Sequence, residues 1–304
     1  MFRAASLASI LLAGAAHAAE PAEFTTSPDI VYATVGDAKL KLDLVAPKGP
    51  GPHPCLVCFH GGAWKAGNRK DLTKPAIFAP GGKEKSQEFS LLEMLARKGY
   101  AAASVSYRLA PGAKFPAQII DAKTAVRFLR TNAVKYDLDP ERFGALGFSA
   151  GGHLAALLGT TGDVPESGDT KSKTSSRVSA VCDWFGPTDL SKLAPDGGAS
   201  SPITKLLGGT PTAKAKAKLA EQANPIAHIS KGDAAFLTFH GDKDALVPLS
   251  QSEILHEALT KAGIESELVV LKGANHGDGE FLSQVSSEAN RKKLVEFFDK
   301  HLKK

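Results

Sequence analysis

The segment 147–151 places a serine between two glycines, in the pattern Gly-x-Ser-x-Gly. The residues before it, 142–146, are typical of a short buried strand, and those after it, 152–158, are typical of an apolar helix. The pattern therefore predicts that Ser149 lies on a sharp strand-to-helix turn with its hydroxyl exposed. A serine in that position can act as a nucleophile, because the amides of the first helical turn stabilise negative charge beside it.

A serine hydroxyl is a weak nucleophile at neutral pH, so it needs a base to take its proton and an acid to orient that base. Two loops that follow predicted strands carry such residues, in the expected chain order. The loop 240–248 contains Asp242 and Asp244, and the loop 272–277 contains His276. We predict His276 as the base. We predict Asp244 as the acid because it lies deeper in its loop, whereas Asp242 is placed to close a turn on a backbone amide.

Four other histidines fit the role of base less well than the one at position 276. His153 lies one helical turn after the serine and points along the helix, and His240 ends a buried strand, so we expect packing roles for both. His60 is expected to brace its own loop by hydrogen bonding. His228 does not lie on a loop of the right order.

Acyl transfer also needs backbone N–H groups that point at the oxyanion of the tetrahedral intermediate. The amide of Ala150, which directly follows the predicted nucleophile, is one candidate donor. The segment 60–64, His-Gly-Gly-Ala-Trp, follows a predicted strand, and its glycines allow the loop to turn its amides inward. We therefore predict an oxyanion hole formed by Gly62, Ala63 and Ala150.

The elements that must position these residues alternate along the chain. The predicted strands are 30–33, 40–45, 55–59, 101–107, 142–146, 178–185, 234–240 and 265–271, and the predicted helices are 91–99, 116–136, 152–158, 213–223, 250–262 and 286–302. The first two strands are expected to form an antiparallel hairpin at a sheet edge. The rest predicts an α/β fold with a mostly parallel eight-stranded sheet and helices on both faces.

Three segments stand outside this alternation. Residues 71–89 are rich in charge, proline and glycine and predict an insertion at the mouth of the site. Residues 190–230 separate two strands by a long stretch, which predicts a cap or lid. Residues 1–18 have the basic start, short apolar stretch and Ala-x-Ala end of a secretory signal peptide. We therefore predict cleavage after Ala18 and a single domain, 19–304, that is secreted or periplasmic and has no membrane span.

The composition gives no indication of nucleic-acid binding, of a metal site or of redox chemistry. The net charge is +5, but the densest basic cluster, 291–293, lies in a helical pattern and is typical of a solvated helix face. Cys55 and Cys58 fall within one predicted strand and should face opposite sides of the sheet. Together with Cys182 they are expected to be small buried hydrophobic residues, although a disulfide is compatible with export. We predict no metal and no cofactor.

Several motifs together resemble those of carboxylesterases with the α/β-hydrolase fold. They lie at 60–64, 107–111, 115–121, 138–142, 147–153 and in the loops 240–248 and 272–277. The likeness is greatest to secreted bacterial esterases of the bifunctional deacetylase and feruloyl esterase type, which are related to the hormone-sensitive lipase group. It covers residues 30–302. Two features depart from that group: Ala63 stands where it usually has a third glycine, and 71–89 is longer than expected.

The resemblance implies a serine ester hydrolase that forms an acyl-enzyme and acts on short acetyl or aryl (feruloyl-type) esters of plant polysaccharide, or on similar small esters. Apolar side chains that border the predicted site are candidates for binding the acyl or aryl group, although packing explains each of them as well: Trp64, Phe148, Trp184, Phe185 and Leu246. An amidase, a peptidase or a formamidase-like hydrolase would use the same three residues. A long-chain lipase and a non-catalytic binding protein are further alternatives.

Overall fold

The computed structural model describes residues 23–74, 89–164, 172–193 and 198–303. The predicted signal peptide lies outside these ranges. So do residues 75–88 of the predicted mouth insertion and residues 194–197 of the predicted cap.

Within the described residues, eight strands form one sheet in the order β1-β2-β4-β3-β5-β6-β7-β8. The strands are β1 (Phe24–Val35), β2 (Ala38–Pro47), β3 (His53–Phe59), β4 (Ala101–Val105), β5 (Leu138–Phe148), β6 (Ala180–Trp184), β7 (Ala235–Gly241) and β8 (Ser266–Leu271). Strand β2 pairs antiparallel with β1 and β4, and the other neighbouring strands pair parallel. The sheet is therefore mixed, with the predicted antiparallel hairpin at one edge and a parallel remainder.

Helices connect the strands and cover both faces of the sheet. They are α1 (Leu91–Arg97), α2 (Ala117–Thr131), α3 (Ala150–Thr161), α4 (Leu190–Leu193), α5 (Pro202–Leu207), α6 (Lys214–Gln222), α7 (Ser250–Lys261), α8 (Gly279–Val285) and α9 (Glu288–Leu302), with 3-10 turns at Arg69–Leu72, Val134–Tyr136 and Pro225–His228. Helix α2 ends earlier than its apolar pattern predicts because the chain tightens into a 3-10 turn and then adopts a positive φ of 54° at Asp137. No helix among the described residues is long and apolar enough to cross a bilayer.

The central strands separate two apolar layers. Every residue of β3 is buried, as the continuous apolar run of this strand predicts for a parallel strand covered on both faces. Cys55 belongs to the layer that contains α2 and α3, whereas Cys58 belongs to the layer that contains α1 and α9. The two side chains therefore face opposite sides of the sheet, as predicted, and all three cysteines are buried free thiols.

The sheet also fixes where the candidate residues meet. The loop 60–66 follows β3, the predicted nucleophile follows β5, and the loops with Asp244 and His276 follow β7 and β8. These four strands run parallel, so their carboxyl ends lie at one edge of the sheet. Residues that are far apart in sequence are thereby brought to one edge.

Candidate active site

Ser149 lies at the turn between β5 and α3, as the Gly-x-Ser-x-Gly pattern predicts. Its backbone has φ 53° and ψ −119°, outside the regions that L-residues normally occupy. A conformation of this kind costs about 1 to 3 kcal/mol and persists only where the surroundings hold it. Two hydrogen bonds do so here: the Ser149 amide donates to the Trp184 carbonyl at 2.9 Å, and the His153 amide donates to the Ser149 carbonyl at 3.0 Å.

The glycines around Ser149 are required by close backbone approach. A Cβ atom at Gly147 would lie 2.1 Å from the carbonyl oxygen of Gly151, and one at Gly151 would lie 2.2 Å from the carbonyl oxygen of Phe59. Both contacts are far shorter than van der Waals separation, and both involve backbone that cannot rotate away. The turn can therefore form only with glycine at these two positions.

His276 joins the serine to a carboxylate. Its Nε2 lies 2.9 Å from Ser149 Oγ, and its Nδ1 lies 2.7 Å from Asp244 Oδ2. The His276 side chain is 15% exposed, whereas the Asp244 side chain is fully buried. The imidazole can therefore exchange protons with a ligand at the surface while the carboxylate is shielded from water. The structure thus brings together the three side chains that the sequence analysis selected, in the geometry that proton transfer from Ser149 Oγ to His276 requires.

Asp244 is held as an anion by the groups around it. Its Oδ1 accepts hydrogen bonds from the amides of Leu246 at 2.9 Å and Val247 at 2.8 Å. On the other side, His240 Nε2 lies 3.3 Å from Oδ2. Burial raises the pKa of Asp244, but the hydrogen bonds from His240, His276 and Val247 lower it by more, so the pKa lies well below its usual value. An ionised carboxylate at this position can accept a hydrogen bond from His276 Nδ1 and so orient the ring.

The other acidic residue of the same loop has a structural contact. Asp242 Oδ1 accepts a hydrogen bond from the Gly273 amide at 2.7 Å, which ties the loop after β7 to the loop after β8. Asp242 thus bonds to a backbone amide, as expected, but the contact joins two loops 31 residues apart and does not close a local turn. Asn275, which the sequence analysis did not single out, ties the same two loops: its Oδ1 accepts from the amides of Ala245 at 3.0 Å and His276 at 2.8 Å.

The loop after β3 passes close to the serine. A Cβ atom at Gly61 would lie 3.6 Å from Ser149 Cβ, so the two backbones are in near contact. Gly62, Ala63 and Trp64 have consecutive positive φ values of 105°, 52° and 57°. The Gly62 carbonyl accepts from the amides of Lys65 and Ala66, both at 3.0 Å. The loop is thus a tight left-handed turn beside the nucleophile, next to the first amide of α3 at Ala150.

The other four histidines are engaged elsewhere. His60 stacks on Tyr107 with ring centroids 4.3 Å apart, and its Nδ1 lies 2.7 Å from the Gly61 carbonyl oxygen. His60 therefore braces its own loop, as expected.

His153, His240 and His228 each contact backbone or side-chain groups away from Ser149 Oγ. His153 contacts Trp64 and the Ala223 carbonyl. His240 contacts Ser252 and the Val247 carbonyl, and His228 contacts the Gln222 carbonyl. Among the hydrogen bonds of the described residues, the histidine that pairs with Ser149 Oγ is His276, whose Nε2 lies 2.9 Å away.

The apolar side chains near the site differ in accessibility. Leu246 is 70% exposed, whereas Trp64, Phe148 and Phe185 are almost completely buried and Trp184 is completely buried. The Trp184 ring meets Phe148 edge-to-face at 4.3 Å and lies in the core beneath it. Its role in this structure is packing, the interpretation that the sequence analysis gave beside substrate binding. Phe185 packs against the His276 ring, with centroids 4.6 Å apart, and so supports the imidazole.

A buried carboxyl group lies behind the nucleophile helix. Asp183, on β6, accepts a hydrogen bond from the Gly186 amide at 2.9 Å, and a Cβ atom at Gly152 would lie 2.1 Å from its Oδ1. Burial raises the pKa of Asp183 from 3.8 to about 6, against the opposing effects of His240 and the Gly186 amide. Asp183 could not be found from the sequence, because an aspartate inside a predicted strand belongs to no motif.

The raised pKa of Asp183 predicts a pH-dependent loss of stability. Because the folded state binds the proton more tightly than the unfolded chain does, this contribution is complete below pH 3.8 and is lost as the pH rises to about 6. Asp183→Asn cannot titrate and keeps an oxygen acceptor for the Gly186 amide. Relative to this variant, the wild-type free energy of unfolding should fall by about 3 kcal/mol in total as the pH rises from well below 3.8 to well above 6. Urea unfolding at several pH values tests this, and parallel curves for the two proteins would contradict it.

The described residues contain no group of three or more histidine, cysteine, aspartate or glutamate side chains that could hold a metal ion. The chemistry that the site can perform with its own groups is nucleophilic attack by Ser149 with proton transfer through His276.

Comparison with known proteins supports this interpretation. Residues 42–259 match the family model of BD-FAE. The chain is 32% identical over 236 residues to esterase LipC of Mycobacterium tuberculosis, an alignment that covers 74% of this chain and 53% of LipC. It is similar to a solved truncated form of a carbohydrate esterase from gut microbiota, with a TM-score of 0.77, 30% identity and coverage of 94% of this chain and 99% of that chain.

A second solved structure, a bifunctional GH43-CE protein of Bacteroides eggerthii, has a TM-score of 0.74 and 35% identity, with coverage of 90% of this chain and 38% of that chain. The chain spans about half the length of the curated relatives it matches. The family model covers most of the parallel sheet and the nucleophile turn, and the solved structures share the arrangement of strands and helices. The chain therefore belongs to the BD-FAE family and has the α/β-hydrolase fold.

Proposed function

We propose that the protein is a serine carboxylic-ester hydrolase in which Ser149 is the nucleophile, His276 the general base and Asp244 the orienting acid. The observation that carries the proposal is the continuous contact from Ser149 Oγ through the His276 ring to the buried Asp244 carboxylate, at 2.9 Å and 2.7 Å. Several relatives of the chain are named as esterases, which supports ester chemistry over the other uses of this fold.

The reaction follows from the geometry. Ser149 Oγ attacks the carbonyl carbon of the ester as His276 Nε2 takes the hydroxyl proton, and the carbonyl π electrons move to the oxygen. Asp244 holds the imidazole in the tautomer that accepts at Nε2 and stabilises the imidazolium. The amides of Gly62, Ala63 and Ala150 are the proposed donors to the oxyanion. The intermediate then expels the alcohol, which receives its proton from His276, and water repeats the sequence on the acyl-enzyme.

The proposed substrates are short acetyl or aryl esters of plant polysaccharide, or small esters like them. Two solved relatives are described as a carbohydrate esterase and as a bifunctional GH43-CE protein, which favours esters attached to sugars. Leu246 offers an exposed apolar surface two residues from Asp244 and is proposed to contact the acyl or aryl group. Residues 190–230 are proposed as a cap, and residues 71–89 as an insertion at the site mouth.

Export is part of the proposal and rests on the signal-peptide pattern of residues 1–18. The protein recovered from the periplasm or medium should then begin at Ala19. Recovery of the intact N-terminus in the cytoplasm would contradict export.

An amidase or peptidase would use the same three residues, so substrate comparison separates the two hypotheses. The test is a panel of p-nitrophenyl esters from acetate to palmitate, methyl ferulate, acetylated xylan and a p-nitroanilide. Higher kcat/KM on acetyl or feruloyl esters than on palmitate or the anilide is expected. A fluorophosphonate probe should also label the protein on Ser149, as located by peptide mass spectrometry. Labelling at another residue, or hydrolysis of the anilide alone, would overturn the proposal.

A further inference from the structure

The loop that follows β3 contains two non-glycine residues in the left-handed region, Ala63 and Trp64, with φ values of 52° and 57°. L-residues rarely adopt this conformation, and they keep it only where neighbouring groups hold the chain in place. Ala63 is one of the proposed oxyanion donors, so the contacts that hold this loop in place bear on catalysis.

Trp64 is fixed from two sides. Its backbone carbonyl accepts a hydrogen bond from the Ala110 amide at 2.8 Å, and its indole Nε1 donates to His153 Nδ1 at 3.2 Å. The indole is 3% exposed and meets the imidazole edge-to-face, with ring centroids 5.2 Å apart. The side chain is thus enclosed and oriented, and Trp64 directly follows Ala63, one of the proposed oxyanion donors.

His153 is fully buried in α3, four residues after Ser149, and its two ring nitrogens have different partners. The indole N–H can only donate, so Nδ1 must accept and the ring proton must lie on Nε2. Nε2 then donates to the Ala223 carbonyl oxygen at 2.6 Å. Burial lowers the pKa of His153 to about 4, which keeps the ring neutral in this tautomer at neutral pH.

We propose that His153 is a positioning residue that holds the oxyanion loop through Trp64 and connects that loop to the end of α6 through Ala223. The proposal rests on the proposed ester hydrolase function. Ala223 is the residue that ends α6 in the proposed cap, so one imidazole joins three elements: the loop after β3, the nucleophile helix and the cap segment. His153 does not act on substrate itself, because both of its nitrogens are occupied by protein groups.

Loss of the contact between Trp64 and His153 is expected to affect kcat more than KM. If Trp64 loses its anchor, residues 62–64 can leave their left-handed conformation and move the amide of Ala63 away from the oxyanion. That interaction is made mainly in the transition state, so its loss lowers kcat and changes KM little. A histidine that only stabilises the core would lower thermal stability without lowering kcat of the folded enzyme.

Two conservative substitutions separate the two hydrogen bonds. The Oδ1 of asparagine occupies roughly the place of Nδ1, so His153→Asn keeps the acceptor for Trp64 and loses the contact with Ala223. The amide nitrogen of glutamine reaches the place of Nε2, so His153→Gln keeps the donor to Ala223 and loses the acceptor for Trp64. Trp64→Phe removes the indole donor and leaves both histidine nitrogens in place.

We expect His153→Gln and Trp64→Phe to lower kcat for p-nitrophenyl acetate by about 10- to 100-fold with KM changed less than about threefold. His153→Asn should retain kcat within about threefold of wild type, which a purely structural role of the ring would not predict. The double variant Trp64→Phe/His153→Gln should be no slower than the slower single variant, because both changes break one contact. Thermal unfolding identifies which variants are folded, and Trp64→Phe decides the question if the His153 variants do not fold.

Folded His153→Gln and Trp64→Phe proteins with kcat within twofold of wild type would overturn the proposal, as would a double variant whose loss is the product of the two single losses. His228→Gln is the matched control, because His228 also bonds to the cap backbone, at Gln222, but does not contact the loop. Assays of Ser149→Ala distinguish failure of the proposed function from failure of the inference about His153. Full activity in that variant refutes the proposed function itself. An inactive Ser149→Ala with active His153→Gln and Trp64→Phe refutes the inference about His153 alone.

Discussion

Ser149→Ala is expected to lower kcat/KM for p-nitrophenyl acetate by at least about 10⁴-fold. The substitution removes Oγ, the proposed nucleophilic atom, and leaves the alanine methyl group in the place of Cβ. The backbone turn should persist, because the hydrogen bonds to the Trp184 carbonyl and from the His153 amide are made by backbone atoms. Circular dichroism and thermal unfolding would therefore match those of the wild type, and initial-rate kinetics give the result.

Ser283→Ala is the control for this variant, because Ser283 is an exposed serine on α8. It should keep wild-type kinetics. His276→Ala should lose about as much activity as Ser149→Ala, and the double variant should lose little more, because the residues act as one unit. Losses that multiply in the double variant would show that Ser149 and His276 act independently and would refute the proposed mechanism.

The meeting of Ser149, Asp244 and His276 could be predicted from sequence because each residue sits in a loop directly after an apolar strand. The alternation of strands and helices makes these strands parallel, and parallel strands end at the same edge. Asp244 could be chosen over Asp242 as the acid only because it lies deeper in the loop. The structure pairs His276 with Asp244 and gives Asp242 a backbone amide as its partner.

Contacts between distant side chains could not be predicted in this way. The hydrogen bond from Trp64 to His153 joins residues 89 positions apart, and that from His153 to Ala223 joins residues 70 positions apart. Neither has a local pattern, because each partner taken alone is an ordinary buried residue. Helix α8 was also missed, since it has only seven residues and its start is marked by one capping aspartate, Asp278.

Ala63 departs from the glycine expected in the loop after β3, and the contacts of the next residue explain how the loop tolerates alanine. Ala63 has a φ of 52°, a conformation that glycine adopts freely and alanine does not. The chain therefore accepts strain at the position where the resemblance to the hormone-sensitive lipase group implies a third glycine. Trp64, which follows directly, is held by Ala110 and His153. We infer that these contacts offset the strain, so the identity of residue 63 and the anchoring of residue 64 are coupled.

Asp244→Asn is expected to lower kcat/KM by about 10⁴-fold while leaving the fold intact, a magnitude taken from the equivalent change in serine proteases. The asparagine Oδ1 can still accept from the amides of Leu246 and Val247. At the other end, an N–H₂ group replaces the oxygen that lies 2.7 Å from His276 Nδ1. His276 must then accept at Nδ1 and carry its proton on Nε2, which leaves it unable to take the proton of Ser149.

Asp242→Asn is the matched control for this prediction, because it makes the same chemical change two residues earlier in the same loop. The Asp242 oxygen only accepts from the Gly273 amide, and asparagine can do the same, so activity should stay within about threefold of wild type. Initial rates with p-nitrophenyl acetate, together with urea unfolding of both variants, separate catalysis from stability. Loss of activity in Asp242→Asn with retention in Asp244→Asn would reverse the assignment of the acid, since the tautomer of His276 would then depend on the other carboxylate.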